Sequence, residues 1–318
     1  MGRCRREFSL LMRIFSETNS NGSTPPSADT AGIRDRIRAN LAGVGATIAF
    51  ASARGGVGKS MLAVNVAAAL AIKGRKVVIV DADLNSPSVG AMLAMKPQRR
   101  LPMVEGIEPA AGPHGLRVVS SDQLAGGEPP PISFASEFDG EPAAPAPTHP
   151  AELSYRAALE RMLALSQFGT IDLLIIDLAA GLDRLHVLAS MISVDGVILA
   201  THPSAQDTSA ARNAITICRA SGAPIVGIVE NMAGFNCDGC RSVRPLWPEG
   251  DLQGVARETG APILARIGFE PRLADSIDRG VPFVREFAST PTGKALSDLA
   301  NQVDAIVSAR TRAAAAPA

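Results

Sequence analysis

Residues 53–60 read ARGGVGKS and lie between a short apolar strand pattern, TIAFASA, and a segment with helical periodicity. In a strand–turn–helix unit of this kind, the glycines let backbone N–H groups converge on phosphate oxygens at the positive end of the helix. Lys59 would reach the β- and γ-phosphates, and the Ser60 hydroxyl would bind Mg²⁺. The usual pattern begins with glycine, and this chain has Ala53 there. The motif predicts a nucleotide site lined by Gly55, Gly56, Val57, Gly58, Lys59, Ser60 and Met61.

Two further apolar runs end in carboxylates. Asp177 follows the run LLII, as expected of a carboxylate that holds a Mg²⁺ shell. Asp81 and Asp83 end the run VVIV, where a carboxylate could position an attacking water. A helix cap or a turn after a strand would explain the same two aspartates. All three would meet at the carboxyl edge of a parallel sheet, where such sheets bind ligands.

Strand and helix patterns alternate from residue 46 to about 309, which predicts an α/β fold with a doubly wound, mostly parallel sheet flanked by helices. We expect a single P-loop domain over residues 41–310. The polar, arginine-containing residues 1–40 and residues 311–318 are expected to be tails. Residues 122–150 contain seven prolines and predict a flexible insertion, because proline interrupts both helices and strand ladders.

Composition excludes several classes of function. Lys and Arg (31) balance Asp and Glu (31), so a strongly basic nucleic-acid surface is not expected. No apolar run reaches the roughly 18 residues that a membrane span needs. Only four cysteines are present, which is too few for a disulfide framework, and the absence of a secretory signal favours a reducing cytoplasm.

Five stretches together resemble the Mrp/ApbC-type P-loop ATPases, relatives of MinD and ParA that carry and assemble iron–sulfur clusters. They are GGVGKS, DADLNSPSVG, LLIIDLAAG, GIVENMAGFNCDGC and DRGVP, and the resemblance covers about residues 45–290. It implies a deviant Walker A loop, Mg-ATP binding, a two-fold homodimer and a bridging [4Fe-4S] cluster that is passed to apo-protein clients.

The resemblance also assigns roles to residues. It implies that Lys59 and Ser60 bind phosphate and Mg²⁺, that Asp81 and Asp83 are switch aspartates, and that Asp177 is the Walker B acid. Asn231 matches an asparagine that recognises adenine, and Cys237 and Cys240 match the cluster ligands. A cubane cluster takes four thiolates, and two chains would supply two each at the symmetry axis. Zinc could use the same four thiolates.

The chain departs from the family pattern in two places. Arg54 stands where the family has a lysine that reaches the partner's phosphates, and this exchange is not conservative. After Asp177 the family reads Asp-x-Pro-Pro-Gly-x-x-Asp, whereas residues 177–184 read DLAAGLDR, so the proline pair is lost and the acid falls one position early. Slow ATP hydrolysis is therefore expected.

Other functions remain open from the sequence. A MinD- or ParA-like positioning ATPase would share the nucleotide motif, although neither role needs the two cysteines. A dithiol redox site is disfavoured because the C-x-x-C lies in a late loop. A reductase with a bridging cluster would carry its cysteines singly in two separate loops, a pattern that this chain lacks.

Overall fold

The computed structural model describes residues 27–96, 106–122, 150–236, 243–248 and 250–315. The strands are β1 Thr47–Ala51, β2 Val77–Ala82, β3 Ala110–Ala111, β4 Arg117–Val119, β5 Leu173–Leu178, β6 Gly196–Thr201, β7 Ile225–Asn236, β8 Val243–Arg244 and β9 Ile263–Phe269. The helices are α1 Ser27–Leu41, α2 Lys59–Ile72, α3 Val89–Met92, α4 Pro150–Leu165, α5 Leu182–Met191, α6 Ala205–Ala220, α7 Leu252–Thr259, α8 Pro271–Asp278, α9 Phe283–Glu286 and α10 Pro291–Ala315.

Within these residues the strands form one sheet in the order β3-β4-β2-β5-β1-β6-β7-β8, and β9 also pairs with β7. The pairs are parallel except those made by β3 and β8. This confirms the predicted fold class. Strands β2, β5 and β1 are neighbours in the sheet. The C-terminal ends of β2 and β5, which carry Asp81 and Asp177, therefore lie at the same edge of the sheet as the P-loop that follows β1.

Alternate residues of each central strand pack on opposite faces of the sheet. Ile48 and Phe50 contact the layer that contains α2 and α10, whereas Ala49 and Ala51 contact the layer that contains α1, α4 and α5. Both faces are covered, which explains why the strands read as unbroken apolar runs rather than alternating ones. Helix α2 is buried almost all round because it lies between the sheet and α10.

The expected N-terminal tail is wrong for residues 27–40. They form α1, which packs on α4, and Ile37 is buried in the core. Ile33, Ile37 and Leu41 recur at a spacing of four residues and therefore share one helix face. Asn40 Nδ2 donates hydrogen bonds to the carbonyls of Leu163 and Ala164 (3.1 and 2.8 Å), at the end of α4.

Other element boundaries also differ from the predictions. Helix α10 continues to Ala315, so residues 311–315 are not tail. The sequence patterns do not predict helices α3, α5, α8 and α9, and β7 continues to Asn236, the residue before Cys237. Residues 123–149, which contain nearly all of the predicted insertion, lie outside the described residues, as do residues 1–26.

We expect Ile37→Ala to lower the free energy of unfolding by about 2–4 kcal/mol, because it removes a buried side chain and leaves a cavity between α1 and the sheet layer. Urea unfolding followed by circular dichroism would measure this. Arg38→Ala, on the exposed side of the same helix, is the control and should change stability little. Equal effects of the two substitutions would mean that α1 is not docked in solution.

Candidate functional site

The P-loop backbone has the shape that its glycines predict. Gly56 and Gly58 both have φ = 79°, a left-handed conformation that residues with a side chain rarely adopt. A Cβ on Gly58 would also overlap the side-chain amide of Asn231. Helix α2 begins at Lys59, directly after Gly58, so its first N–H groups face the loop. Val57 and Met61 are buried beneath the loop, and Gly55 and Gly56 are exposed.

A buried ion pair joins the P-loop to β5. Lys59 Nζ lies 2.5 Å from Asp177 Oδ1, with the lysine side chain 7% and the aspartate 0% exposed. Lys59 Nζ also donates a long hydrogen bond of 3.4 Å to Ser60 Oγ. Burial raises the pKa of Asp177, while the positive charge of Lys59 opposes that rise. The structure thus brings three predicted residues, Lys59, Ser60 and Asp177, into contact.

One oxygen of this cluster lacks a partner. Asp177 Oδ2 is buried and has no hydrogen bond within the described residues. An orphaned carboxylate oxygen beside a serine hydroxyl is a suitable donor set for Mg²⁺, which prefers oxygen ligands and binds together with phosphates. Ser60 and Asp177 therefore fit the predicted ion.

The two switch aspartates have different surroundings. Asp81 is fully buried, and it accepts hydrogen bonds from the backbone N–H groups of Asp83 (3.1 Å), Ser88 (2.7 Å) and Val89 (3.0 Å). Burial and the nearby charge of Asp177 raise the pKa of Asp81 to about 7. This arrangement is the capping role that the sequence left open. A direct role for Asp81 in positioning water stays a prediction, and in this structure its oxygens hold the loop that leads into α3.

Asp83 lies just beyond the end of β2 and is half-buried. Its carboxylate accepts a long hydrogen bond from the Ser86 N–H to Oδ1 (3.3 Å). Its charge raises the pKa of Asp177, which places the two carboxylates near each other. Of the two switch aspartates, Asp83 is the one whose oxygens remain accessible to a ligand or a water.

Asn231 supports the P-loop. Its side chain is buried, and Nδ2 donates a hydrogen bond of 2.8 Å to the Val57 carbonyl. Adenine recognition by Asn231 stays a prediction, and in this structure the side-chain amide is turned towards the loop backbone. Sequence pattern identified the residue but could not show which partner its amide would choose.

Arg54 lies on the outer side of the loop with a 53% exposed side chain. Its Nη1 donates to Gln206 Oε1 (3.2 Å) and lies 3.7 Å from Asp207 Oδ1, at the start of α6. Ser204 caps α6 by accepting from the Asp207 N–H. The sequence analysis missed these contacts, since nothing in the residue pattern links the P-loop to α6.

The cysteine pair follows directly on β7. Cys237 and Cys240 lie outside the described residues, but Asn236 ends the strand and precedes Cys237. Nearby, Phe235 packs against Phe269 with ring centroids 6.4 Å apart. Cys218 is buried in α6, and burial raises the pKa of its thiol to about 11, as expected for a structural cysteine.

Comparisons with known proteins show the family of this chain. A family model described as NUBPL iron-transfer P-loop NTPase matches residues 43–137 and 152–304. The chain belongs to this family. It therefore belongs to the same group of iron–sulfur P-loop proteins that the sequence motifs resemble.

Individual relatives support the same assignment. An iron-sulfur cluster carrier protein of Saccharolobus solfataricus is 31% identical over 86% of this chain and 87% of its own length. A cytosolic Fe-S cluster assembly factor of Bos taurus is 30% identical over 83% of this chain and 94% of its own.

Solved structures extend the comparison to the fold. A nucleotide-binding protein of Archaeoglobus fulgidus in complex with ADP has a TM-score of 0.62 and 26% identity, covering 78% of this chain and 91% of its own. The cell division ATPase MinD of Pyrococcus furiosus, at 19% identity, TM-score 0.57, 82% of this chain and 99% of its own, shares the fold. Among the described helices of this chain, none is both long and apolar enough to cross a membrane.

The raised pKa of Asp81 predicts a pH-dependent stability. Because the folded pKa exceeds the unfolded value of about 4, Asp81 favours folding most at low pH, and this contribution is lost as pH rises from about 4 to 7. Asp81→Asn cannot titrate. The free energy of unfolding of Asp81→Asn minus that of wild type should therefore increase as pH rises, by up to roughly 1 kcal/mol per pH unit between pH 5 and 7.

Urea unfolding at pH 5, 6 and 7 without nucleotide or metal would measure the difference. Asp35→Asn is the control, since Asp35 is exposed on α1. A stability difference between wild type and Asp81→Asn that does not change with pH would contradict the assigned burial of this charge.

Proposed function

We propose that this chain is an iron–sulfur cluster carrier or assembly protein that binds Mg-ATP and hydrolyses it slowly. Its cargo is a [4Fe-4S] cluster bound between two copies by Cys237 and Cys240 of each. The cluster would then pass to apo-protein clients, within the cytoplasm. The observation that carries the proposal is the buried Lys59–Asp177 pair beneath the P-loop. The P-loop is also hydrogen-bonded to Asn231, on the strand that leads to the cysteines.

Nucleotide binding follows from the chemistry of the P-loop residues. The N–H groups at the start of α2 and the Lys59 ammonium are donors for phosphate oxygens. The phosphates must draw Lys59 away from Asp177, which frees both oxygens of that carboxylate. Ser60 and Asp177 would hold Mg²⁺, which neutralises phosphate charge when bound. Asp83 has the accessible oxygens and would orient the attacking water.

Two features support slow turnover. Arg54 rests on Gln206 and Asp207 of its own chain, so it must leave these contacts to reach a partner's phosphates. The loop after Asp177 has Ala179 and Ala180 where the family has a stiff proline pair, so its backbone is less restricted before nucleotide binds.

The position of the cysteines supports a link between nucleotide and cargo. Asn231 contacts the P-loop, and Cys237 lies six residues further along the same segment, at most about 20 Å away at strand geometry. The same strand therefore contacts the nucleotide loop and leads to the proposed cluster ligands. A zinc ion on the same four thiolates is the alternative occupant.

We expect anaerobic reconstitution with iron and sulfide to load about four irons per two chains, because a cubane needs four thiolates. Broad visible absorption, iron and zinc analysis and the mass in solution would be measured together. Cys237→Ala with Cys240→Ala should lose the iron. Cys218→Ala, which removes a buried thiol elsewhere, should keep it. Zinc without iron, or iron retained by the double variant, would contradict the cluster proposal.

We expect Lys59→Ala to weaken ATP and ADP binding by roughly 10- to 100-fold, as loss of a charged hydrogen bond to phosphate predicts. Titration calorimetry with Mg²⁺ would measure both constants. Lys73→Ala, at the exposed end of α2, is the matched control and should bind like wild type. Because Lys59→Ala leaves Asp177 unpaired, Ser60→Ala serves as a milder variant that should lose Mg²⁺-dependent affinity. Unchanged binding in both would remove the proposed site.

A further inference from the structure

Arg184 has a hydrogen-bonding group that the protein leaves unused. It lies in the first turn of α5, and its side chain is 20% exposed. Its Nε is 3.3 Å from Asp183 Oδ2. Its Nη1 is buried and has no hydrogen-bond partner within the described residues. A buried, unpaired donor is costly, so a ligand that accepts from it would gain free energy.

Tyr155 fixes the position of this guanidinium. The Arg184 carbon Cζ lies 4.1 Å from the centroid of the Tyr155 ring, a cation–π geometry. Tyr155 is buried, and its hydroxyl donates to the Ala82 carbonyl (3.1 Å), between Asp81 and Asp83. Burial raises the pKa of that hydroxyl, and the charge of Arg184 opposes the rise while that of Asp83 adds to it. The guanidinium is therefore close to the switch aspartates.

The segment that carries Arg184 is also attached to the P-loop. The Gly181 N–H donates to the Ser52 carbonyl (3.0 Å), and a methyl group built on Gly55 would lie 3.8 Å from Ala180 Cβ. Arg184 follows three residues after Gly181. The backbone near Arg184 is therefore hydrogen-bonded next to the phosphate-binding loop. Its side chain is positioned near the end of β2 through Tyr155.

Several carboxylates lie at this edge of the sheet, and a bound nucleotide would add further negative charge. Asp81, Asp83 and Asp177 gather there, Lys59 is paired with Asp177, and Arg54 rests on α6. A triphosphate brings one more phosphate than a diphosphate and therefore more negative charge. The sequence has arginine here where the resembling family has an acid.

We propose that Arg184 is a specificity-determining residue that binds the terminal phosphate of a nucleoside triphosphate within its own chain. Its unpaired Nη1 would donate to that phosphate and so distinguish tri- from diphosphate. This inference rests on the proposed nucleotide binding.

Titration calorimetry with Mg²⁺ and either ADP or a non-hydrolysable ATP analogue tests the inference. We expect Arg184→Ala to weaken binding of the triphosphate analogue by roughly 10- to 100-fold, with ADP within about twofold of wild type. Arg184→Lys keeps the charge and the contact with Tyr155 but loses the planar guanidinium group. Its affinity for the triphosphate analogue should therefore lie between those of wild type and Arg184→Ala. Arg212→Ala, an exposed arginine paired with Glu258, is the matched control and should bind both like wild type.

The outcomes separate this inference from the function on which it rests. If wild type binds neither nucleotide, both fail. If wild type binds both and Arg184→Ala weakens them equally, or weakens neither, the inference on Arg184 alone is overturned. Arg184→Lys retains the cation over Tyr155, so its triphosphate-to-diphosphate affinity ratio decides the matter even where the alanine variant folds poorly.

Discussion

The buried pair of Lys59 and Asp177 joins the nucleotide loop to the centre of the sheet. Each of the two buried charges compensates the other, and removing one would leave its partner unpaired at a cost of about 3–5 kcal/mol. The pair also makes nucleotide binding an exchange of partners. Phosphate must replace the carboxylate at Lys59, and a cation must then replace Lys59 at Asp177. Mg²⁺ and nucleotide are therefore expected to bind together more readily than either binds alone.

The sequence predicts the central layers well because their constraints are local. The run LLIID is too apolar for any position except a strand buried on both faces, and the glycines at 56 and 58 fit a backbone that has positive φ. Helix α1 was missed because three arginines interrupt its apolar residues. What orders it is contact with α4, more than 120 residues away, and no local pattern encodes that contact.

The sequence predicts which residues form the site better than it predicts which groups those residues contact. Lys59, Ser60 and Asp177 meet as expected because a P-loop and an adjacent strand allow few other arrangements. Asp81 and Asp83 look equivalent in the sequence, yet one lies inside β2 and holds backbone N–H groups while the other lies just past its end. Tyr155 and Arg184 come together from α4 and α5, segments that the motif does not include, so only the tertiary structure reveals their contact.

Strand β7 connects the P-loop contact of Asn231 with the residue before Cys237, so it is the structural basis of the proposed link between nucleotide and cargo. Its first residues pair with β6 in the centre of the sheet, and the Asn231 side chain donates a hydrogen bond to the Val57 carbonyl of the P-loop. The next residue, Met232, has φ = 53°, and the pairing with β9 shifts register between Asn231 and Phe235. A residue with a side chain is strained in that conformation, so the segment between the P-loop contact and the cysteines is held away from its relaxed geometry. The proposed link between nucleotide and cargo therefore includes a strained backbone position one residue after the P-loop contact and five residues before Cys237.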